Sequence, residues 1–208
     1  MYTLQRESMV KNQLVSRGIK NPLVLDAMSK VPREFFVPNT LQHRAYEDNA
    51  LPIDQNQTIS QPYIVAFMTE IIDPQASDNV LEIGTGSGYQ AAVLAEIVNH
   101  VYTVEIIPEL GIQAKNVLDN LGYTNIDVMI GDGYSGWENH APYDAILVTA
   151  APDEIPHPLI DQLKEGGRMI IPIGPVYATQ HLVLVIKENG KVITKNTFPV
   201  RFVPFTRD

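Results

Sequence analysis

The fold of this chain is decided by the stretch Val80-Leu81-Glu82-Ile83-Gly84-Thr85-Gly86-Ser87-Gly88-Tyr89. A short apolar run ends in an acidic residue, and three glycines then follow at alternate positions. The next residues, 91–98 (AAVLAEIV), have the composition of a helix. A strand, a glycine turn and a helix in this order let backbone N–H groups approach a ligand closely, because glycine places no side chain in the way. The stretch therefore predicts a ligand-binding turn in an α/β domain.

Composition narrows the class of protein. The 208 residues include 24 acidic and 15 basic residues, for a net charge of -9, and no cysteine. This balance disfavours nucleic acid as a partner, because binding to a phosphate backbone needs clustered Lys and Arg. Without cysteine, disulfides and thiolate chemistry are excluded. The first residues lack the apolar core of a secretory signal, and no apolar run approaches the roughly 20 residues that span a bilayer. We expect a soluble cytoplasmic protein without a membrane partner.

From residue 79 onward, strands and helices alternate. The predicted strands are 79–83, 101–105, 126–130, 144–149 and 168–172, and the predicted helices are 89–98, 109–121 and 156–164. This alternation predicts a doubly wound, mostly parallel sheet with right-handed crossovers. Two further β-rich runs, 181–187 and 191–195, flank Asn189-Gly190, which is a strong hairpin signal. Antiparallel strands should therefore finish one edge, with Gly166-Gly167 forming a turn before the strand at 168.

The N-terminal part has a different character. Residues 3–16, 21–31 and 61–72 are predicted helices, and residues 32–60 are predicted to be irregular, with Ser60 as the N-cap of the third helix. A loop as long as 32–60 is commonly functional. We expect one domain over 1–208, with N-terminal helices and a substrate loop in 1–60, a cofactor-binding core in 61–180 and a C-terminal hairpin with a substrate-facing segment in 181–208.

The glycine spacing and a neighbouring acid distinguish between ligands. A dinucleotide fingerprint has the pattern G-x-G-x-x-G, whereas this turn has Gly84, Gly86 and Gly88. The carboxylate of Glu82 is a poor neighbour for pyrophosphate but a good acceptor for an ammonium group. S-adenosylmethionine carries such an ammonium, and its own carboxylate can face the helix N-terminus. A tight strand-to-helix connection without any ligand remains the alternative for the turn alone.

Two further acids follow predicted strands. Glu105 ends the strand 101–105, where an acid can accept hydrogen bonds from both ribose hydroxyls. Asp132, in Gly131-Asp132-Gly133, lies beyond the next strand and could accept the adenine amine. The alternatives are a solvated acid before a helix and an ordinary Asp-Gly turn. Because all three elements fall on the carboxyl-end rim of one sheet, we favour a site for S-adenosylmethionine.

Several segments resemble those of the protein-L-isoaspartate (D-aspartate) O-methyltransferase family. The resemblance implies the class I, Rossmann-like methyltransferase fold. The segments are residues 31–37 (VPREFFV), 58–62 (TISQP), 81–89 (LEIGTGSGY), 131–133 (GDG), 141–146 (APYDAI), 149–152 (TAAP), 163–168 (LKEGGR) and 200–204 (VRFVP), together with Trp137. The glycine motif is shared with many methyltransferases, whereas Thr58-Ile59-Ser60-Gln61-Pro62 is more diagnostic. One departure is Asp54-Gln55-Asn56, where the family often has glycine-rich residues.

The resemblance implies a reaction and a set of site residues. The reaction would move a methyl group from S-adenosylmethionine to the free α-carboxylate of L-isoaspartyl, and also D-aspartyl, residues in damaged proteins. Its products would be a methyl ester and S-adenosylhomocysteine. Ser60 would be the active-site residue, and Val203, Pro204 and Thr206 would face the substrate. The implied cofactor-binding residues are Thr58, Ile59, Glu82, Gly84, Gly86, Ser87, Gly88, Glu105, Ile106, Asp132 and Gly133.

Other functions remain open from the residues themselves. The same fold could methylate RNA or a small metabolite, or could bind adenosine without catalysis. An NAD-dependent oxidoreductase would need the other glycine spacing. The five histidines are dispersed without ligand spacing, so we predict no metal. We expect a monomer whose partners are isoaspartyl-containing peptides and proteins.

Overall fold

The structure, a computed structural model, describes residues 2–175 and 178–207, and a seven-stranded sheet lies at its centre. In chain order the strands are β1 (Leu51–Pro52), β2 (Thr58–Ile59), β3 (Asn79–Ile83), β4 (His100–Glu105), β5 (Ile126–Ile130), β6 (Tyr143–Val148), β7 (Leu163–Ile173), β8 (Gln180–Glu188) and β9 (Lys191–Val200). The α-helices are α1 (Tyr2–Met9), α2 (Pro22–Lys30), α3 (Pro62–Ile71), α4 (Tyr89–Ala95), α5 (Pro108–Asn120) and α6 (His157–Asp161).

The predicted fold class is confirmed. The strand order is β5-β4-β3-β6-β7-β8-β9, and β3 through β7 pair in parallel. The last two pairings, β7 with β8 and β8 with β9, are antiparallel. The predicted hairpin is present: Asn189 and Gly190 have φ values of 53° and 70°, the positive values that a two-residue turn between twisted strands requires.

The central strands of the sheet are buried on both faces, and their side chains alternate between two hydrophobic clusters. In β3, Val80 packs into one cluster and Leu81 into the other. In β6, Ala145 and Leu147 belong to the first cluster, and Ile146 and Val148 to the second. This period of two follows from strand geometry, and apolar residues at both phases explain why these strands are continuous apolar runs in the sequence. The N-terminal helices and α4 cover the first face, and α6 contributes to the second.

The boundary between α6 and β7 differs from the prediction. The helix predicted for 156–164 ends at Asp161, and β7 already begins at Leu163. The predicted turn at Gly166-Gly167 is part of this strand, next to an irregularity in the β6–β7 pairing. A Cβ on Gly167 would lie 2.9 Å from the backbone oxygen of Asp144, so glycine permits this close approach of two backbones. The sequence signal for a turn was therefore a signal for a bulged strand.

The prediction of Ser60 as a helix N-cap is wrong. The N-cap of α3 is Gln61, which has φ −51° and ψ 139° and makes no side-chain capping hydrogen bond. The residue before a proline is driven out of the helical region, so with Pro62 at the first helical position the cap falls on Gln61. Ser60 is thereby left outside the helix, with its side chain free of a capping role.

The remaining N-terminal predictions are confirmed only in outline. The helix predicted for 3–16 is α1 followed by a π-helical segment, Val10–Leu14, and a short 3-10 turn, Val15–Arg17. Residues 32–60, predicted to be irregular, contain three 3-10 segments and the two-residue pairing of β1 with β2. Among the described residues, no helix has both the length and the apolar character needed to cross a bilayer.

The close packing behind the glycine turn gives a stability prediction. Gly88 and Gly122 have nearly equal φ values, +87° and +84°, but a Cβ on Gly88 would lie 3.3 Å from Ala114 and Leu118, whereas a Cβ on Gly122 meets open space. We expect Gly122→Ala to lower the free energy of unfolding by about 1–2 kcal/mol through backbone strain. Gly88→Ala should lower it by about 1–3 kcal/mol more through crowding against α5. Urea denaturation of both variants measures this difference, and equal losses would contradict the packing role of Gly88.

Candidate functional site

A cavity of about 330 Å³ opens at the carboxyl ends of β3, β4 and β6. Its volume suits a small organic ligand. Four stretches that are distant in the sequence provide most of its wall: residues 57–61, 83–87, 104–107 and 199–206. In open α/β sheets, ligands bind beyond the carboxyl ends of the strands, where neighbouring connections leave in opposite directions. The position of the cavity between β4 and β6, at the end of β3, fits this rule.

The glycine turn begins under tight constraint from both neighbouring strands. The Gly84 N–H donates to the Val104 oxygen at 2.8 Å, and the Thr149 hydroxyl donates to the Gly84 oxygen at 2.6 Å. A Cβ on Gly84, whose φ is +93°, would lie 2.3 Å from that same hydroxyl oxygen. Only glycine therefore fits here, and the turn is fixed where it faces the cavity.

Glu105 lies beside the turn and lines the cavity. Its Oε2 atom accepts the Gly86 N–H at 2.7 Å, and its Oε1 atom accepts the Ile107 N–H at 3.0 Å. Two backbone donors stabilise the carboxylate and fix its orientation, although the residue is only 5% exposed. Each carboxylate oxygen has a second lone pair, so the group can still accept hydrogen bonds from a ligand.

Glu82 lies behind the cavity wall and does not line it. The side chain is fully buried, Oε2 accepts a short hydrogen bond from the Thr103 hydroxyl, and Thr103 in turn is 2.7 Å from the Thr85 hydroxyl. Oε1 has no hydrogen-bond partner among the described residues. Burial raises the pKa of Glu82 to about 8, with the Thr103 hydrogen bond opposing and the Glu105 charge adding to the shift. Burial thus favours the neutral form of Glu82, which is connected to the cavity through two threonines.

Ser60 and its neighbours form another part of the wall. Thr58, Ile59 and Ser60 all line the cavity. The Ser60 backbone oxygen accepts a hydrogen bond from Arg33 at 2.8 Å. The following residue, Gln61, donates from its side-chain amide to Asp48 Oδ1 at 2.8 Å. The segment is therefore held by two residues that lie outside the cavity wall, Arg33 and Asp48, and Ser60 itself lies on that wall.

The C-terminal stretch closes the cavity from the side of β6. Val203, Pro204 and Thr206, for which the resemblance implies a substrate-facing role, line the cavity. Two backbone hydrogen bonds hold this stretch to Ala151 just after β6: the Ala151 N–H donates to the Val203 oxygen at 2.9 Å, and the Phe205 N–H donates to the Ala151 oxygen at 3.0 Å. A segment outside the main sheet is thereby placed against the end of a central strand.

The structure brings most of the predicted cofactor residues together, but not all of them. Thr58, Ile59, Gly84, Gly86, Ser87, Glu105, Ile106 and Gly133 line the cavity, whereas Glu82, Gly88 and Asp132 do not. Asp132 caps the turn after β5 by accepting the Tyr134 N–H at 2.9 Å, and it forms an ion pair of 3.2 Å with Arg207. The Arg207 guanidinium also lies over the Tyr134 ring, 3.7 Å from its centroid.

Several wall residues were not among the predicted site residues, and two of them, Arg201 and Thr149, carry polar or charged groups that matter for the site. Arg201 is, with Glu105, one of the two charged side chains among the described lining residues. Its position two residues before Val203 in a segment of family resemblance was the available signal. Thr149 also lines the cavity, and its place directly after the apolar run of β6 could have indicated it. In the part of the chain that the structure describes, no cluster of His, Cys, Asp or Glu could hold a metal ion.

Comparisons with known proteins agree with this geometry. The family model described as Protein-L-isoaspartate(D-aspartate) O-methyltransferase matches residues 4–208. The protein-L-isoaspartate O-methyltransferase of Opitutus terrae is 54% identical over 206 residues, which cover 99% of this chain and 88% of that protein. Its sequence similarity therefore extends along nearly the whole chain.

Solved structures give the same result. A structure described as a protein-L-isoaspartate O-methyltransferase superposes with a TM-score of 0.87 at 32% sequence identity. The superposition covers 96% of this chain and 65% of the other, longer chain. A beta-aspartate methyltransferase from Plasmodium falciparum, in complex with S-adenosyl-L-homocysteine, has a TM-score of 0.84 at 27% identity and covers 98% of this chain and 99% of its own. These findings confirm the resemblance seen in the sequence: the chain belongs to the protein-L-isoaspartate (D-aspartate) O-methyltransferase family.

Proposed function

We propose that this protein transfers a methyl group from S-adenosylmethionine to the free α-carboxylate of isoaspartyl residues in damaged proteins, with D-aspartyl residues as a second substrate class. The observation that carries the proposal is that Ser60, the glycine turn, Glu105 and the 203–206 stretch line one cavity. Family membership supports the reaction class. The complex of the Plasmodium falciparum relative with S-adenosyl-L-homocysteine supports the same ligand pair here.

The residues present fit the cofactor. Glu105 offers two carboxylate oxygens, each already fixed by a backbone N–H, as acceptors for the ribose hydroxyls. The turn from Gly84 to Ser87 presents backbone close to the ligand, and Ile106 and Gly133 provide neighbouring surface. Asp132 lies outside the cavity lining, and it would accept the adenine amine through the lone pairs that the Tyr134 N–H and Arg207 leave free. Glu82 supports the turn from behind through Thr103 and Thr85.

The chemistry makes modest demands on the protein. When bound, S-adenosylmethionine supplies a methyl group whose carbon–sulfur bond breaks, with its electron pair on sulfur, as the new oxygen–carbon bond forms. The acceptor carboxylate is already ionised at neutral pH, since its ordinary pKa is about 4, so the protein needs no general base. Its task is to align the acceptor oxygen and to exclude water.

Ser60 and Arg201 are the residues we assign to the acceptor. The Ser60 hydroxyl can donate one hydrogen bond, which would orient the carboxylate toward the methyl group. A nucleophilic role for the serine is not required. Arg201 brings a positive charge to a wall that receives an anion, and Val203, Pro204 and Thr206 offer surface for the peptide around it.

We further propose that residues 1–208 act as one unit, as a monomer in the cytoplasm. The N-terminal, central and C-terminal segments all contribute to the same cavity wall, so separating them would dismantle the site. The absence of cysteine suits a reducing compartment. The substrates of this unit would be proteins and peptides, with neither nucleic acid nor membrane as a partner.

The function is tested with labelled S-adenosylmethionine and three acceptors: an isoaspartyl peptide, the matched aspartyl peptide and total RNA. We expect base-labile label on the isoaspartyl peptide alone, because a methyl ester hydrolyses readily in base. Label on RNA, or label on neither peptide, would contradict the proposal.

Ser60→Ala tests the role of the serine. We expect kcat to fall about 10- to 100-fold, the value of one hydrogen bond to a charged group, while the Kd for S-adenosylmethionine stays within about twofold. Ser29→Ala removes a hydroxyl on an exposed helical turn outside the cavity and serves as the control. Initial rates with the isoaspartyl peptide and calorimetric cofactor titrations give both quantities. Turnover as fast as that of the control would remove Ser60 from the mechanism.

Glu82→Gln tests the buried acid through the pH dependence of stability. The pKa of Glu82 is raised from 4.5 to about 8 in the folded protein, so the folded state keeps a proton that the unfolded chain releases between these values. Stability should therefore fall as the pH rises from about 4.5 to 8, by on the order of 1 kcal/mol per pH unit. Glu82→Gln has no such proton and should lose this slope, whereas the exposed control Glu138→Gln should keep it. Urea denaturation at several pH values measures the free energy of unfolding of each protein. Parallel plots of this free energy against pH for the wild type and Glu82→Gln would refute the raised pKa of Glu82.

A further inference from the structure

The position of Ser60 is not fixed by its local structure. The preceding hairpin, β1 with β2, consists of only two residue pairs, Leu51 with Ile59 and Pro52 with Thr58. Hairpins of this size are not stable by themselves. The helix that follows begins only at Pro62, and its N-cap makes no side-chain capping bond. A hydroxyl that must meet a carboxylate within a fraction of an ångström therefore needs support from elsewhere in the fold.

Arg33 provides that support with a side chain that is 0% exposed. Its Nε donates to the Ala45 backbone oxygen at 2.7 Å, and its Nη2 donates to the Ser60 backbone oxygen at 2.8 Å. The guanidinium carbon lies 4.7 Å from the centroid of the Tyr89 ring. Tyr89 follows directly on the glycine turn and lines the cavity. One planar group thus joins the Ser60 segment to the 45–50 loop and to the start of α4.

This arrangement is costly for a purely structural contact. None of the ion pairs in residues 2–175 and 178–207 includes Arg33, and its Nη1 has no hydrogen-bond partner among these residues. Burial lowers the pKa of Arg33 to about 10, which leaves it charged at neutral pH. A buried ionic group is often less stabilising than a hydrophobic residue of similar volume, but the rigid fork of a guanidinium can fix the relative position of two carbonyl oxygens.

We propose that Arg33 is a positioning residue for methyl transfer, which holds the Ser60 backbone so that the serine hydroxyl meets the acceptor carboxylate. The inference rests on the proposed function of Ser60. Arg33 does not line the cavity and therefore touches neither substrate nor cofactor. Its effect passes through the Ser60 carbonyl, and so it should vanish when the serine hydroxyl is absent.

A double-mutant cycle tests this coupling. Arg33→Lys keeps the charge but loses the fork that reaches two carbonyls, and Arg33→Gln keeps one amide donor without the charge. Each is made in the wild type and in Ser60→Ala, and kcat, KM and the Kd for S-adenosylmethionine are measured below the melting temperature of every variant. Glu34→Gln is the matched control, since Glu34 lies in the same 3-10 turn and is buried, but bonds to the Tyr46 hydroxyl and not to Ser60.

We expect both Arg33 variants to lower kcat about 10-fold or more in the wild type, with cofactor Kd within about twofold, and to lower it no further in Ser60→Ala. Glu34→Gln should lower the melting temperature while leaving kcat within about twofold. Equal losses in both backgrounds, or unchanged kcat with lowered stability, would overturn the proposal, and loss of the fold in both variants would assign Arg33 to stability alone. Failure of the proposed function itself is recognised separately, because the wild type would then not methylate the isoaspartyl peptide.

Discussion

The structure depends on one constraint at the carboxyl end of β3, where a fully buried strand must turn at once into a helix. The turn can occur only if no side chain stands between β3 and the neighbouring strands, and Gly84 meets that condition between Val104 and Thr149. Because β4 and β6 pair on opposite sides of β3, the connections leave in opposite directions and a crevice opens there. The cavity is a consequence of this pairing. Segments from both ends of the chain, residues 57–61 and 199–206, complete its wall.

Although the protein has a net charge of -9, the acidic and basic side chains at the cavity each have their own local environment. The carboxylate of Glu105 accepts hydrogen bonds from two backbone N–H groups, whereas burial raises the pKa of Glu82 and favours its neutral form. Glu105 is the carboxylate that lines the cavity, where the proposed ribose would lie, and Glu82 lies behind the wall. Arg201 adds a positive charge on the wall that would receive the acceptor.

The sequence predicted the parts of the fold that follow from the spacing of apolar residues and from turn-forming residues. Alternation from β3 to β6 identified the parallel sheet, and Asn189-Gly190 identified the final hairpin. The prediction failed where one residue type is compatible with two structures. Gly166-Gly167 suggested a turn, but these glycines permit a bulged strand. Ser60 is of a type that often caps helices, but with Pro62 at the first helical position the N-cap is Gln61. Motif resemblance indicated many of the residues that line the candidate site, but it also pointed to Glu82, Gly88 and Asp132, which lie outside the cavity wall. Contacts that arise only from tertiary packing had no sequence signal.

Arg33 is the clearest example of such a contact, because an arginine in a polar, proline-rich stretch has no sequence feature that marks it as fully buried. A hydrophobic residue at this position could contribute packing without the cost of desolvating a charge, but it could not hold two carbonyl oxygens from separate loops in a fixed geometry. Two N–H donors on one rigid plane impose a relation between Ala45 and Ser60 that neither loop could maintain by itself. In the proposed role of Arg33, this fixed geometry acts at the point where the reaction depends on alignment rather than on acid–base chemistry.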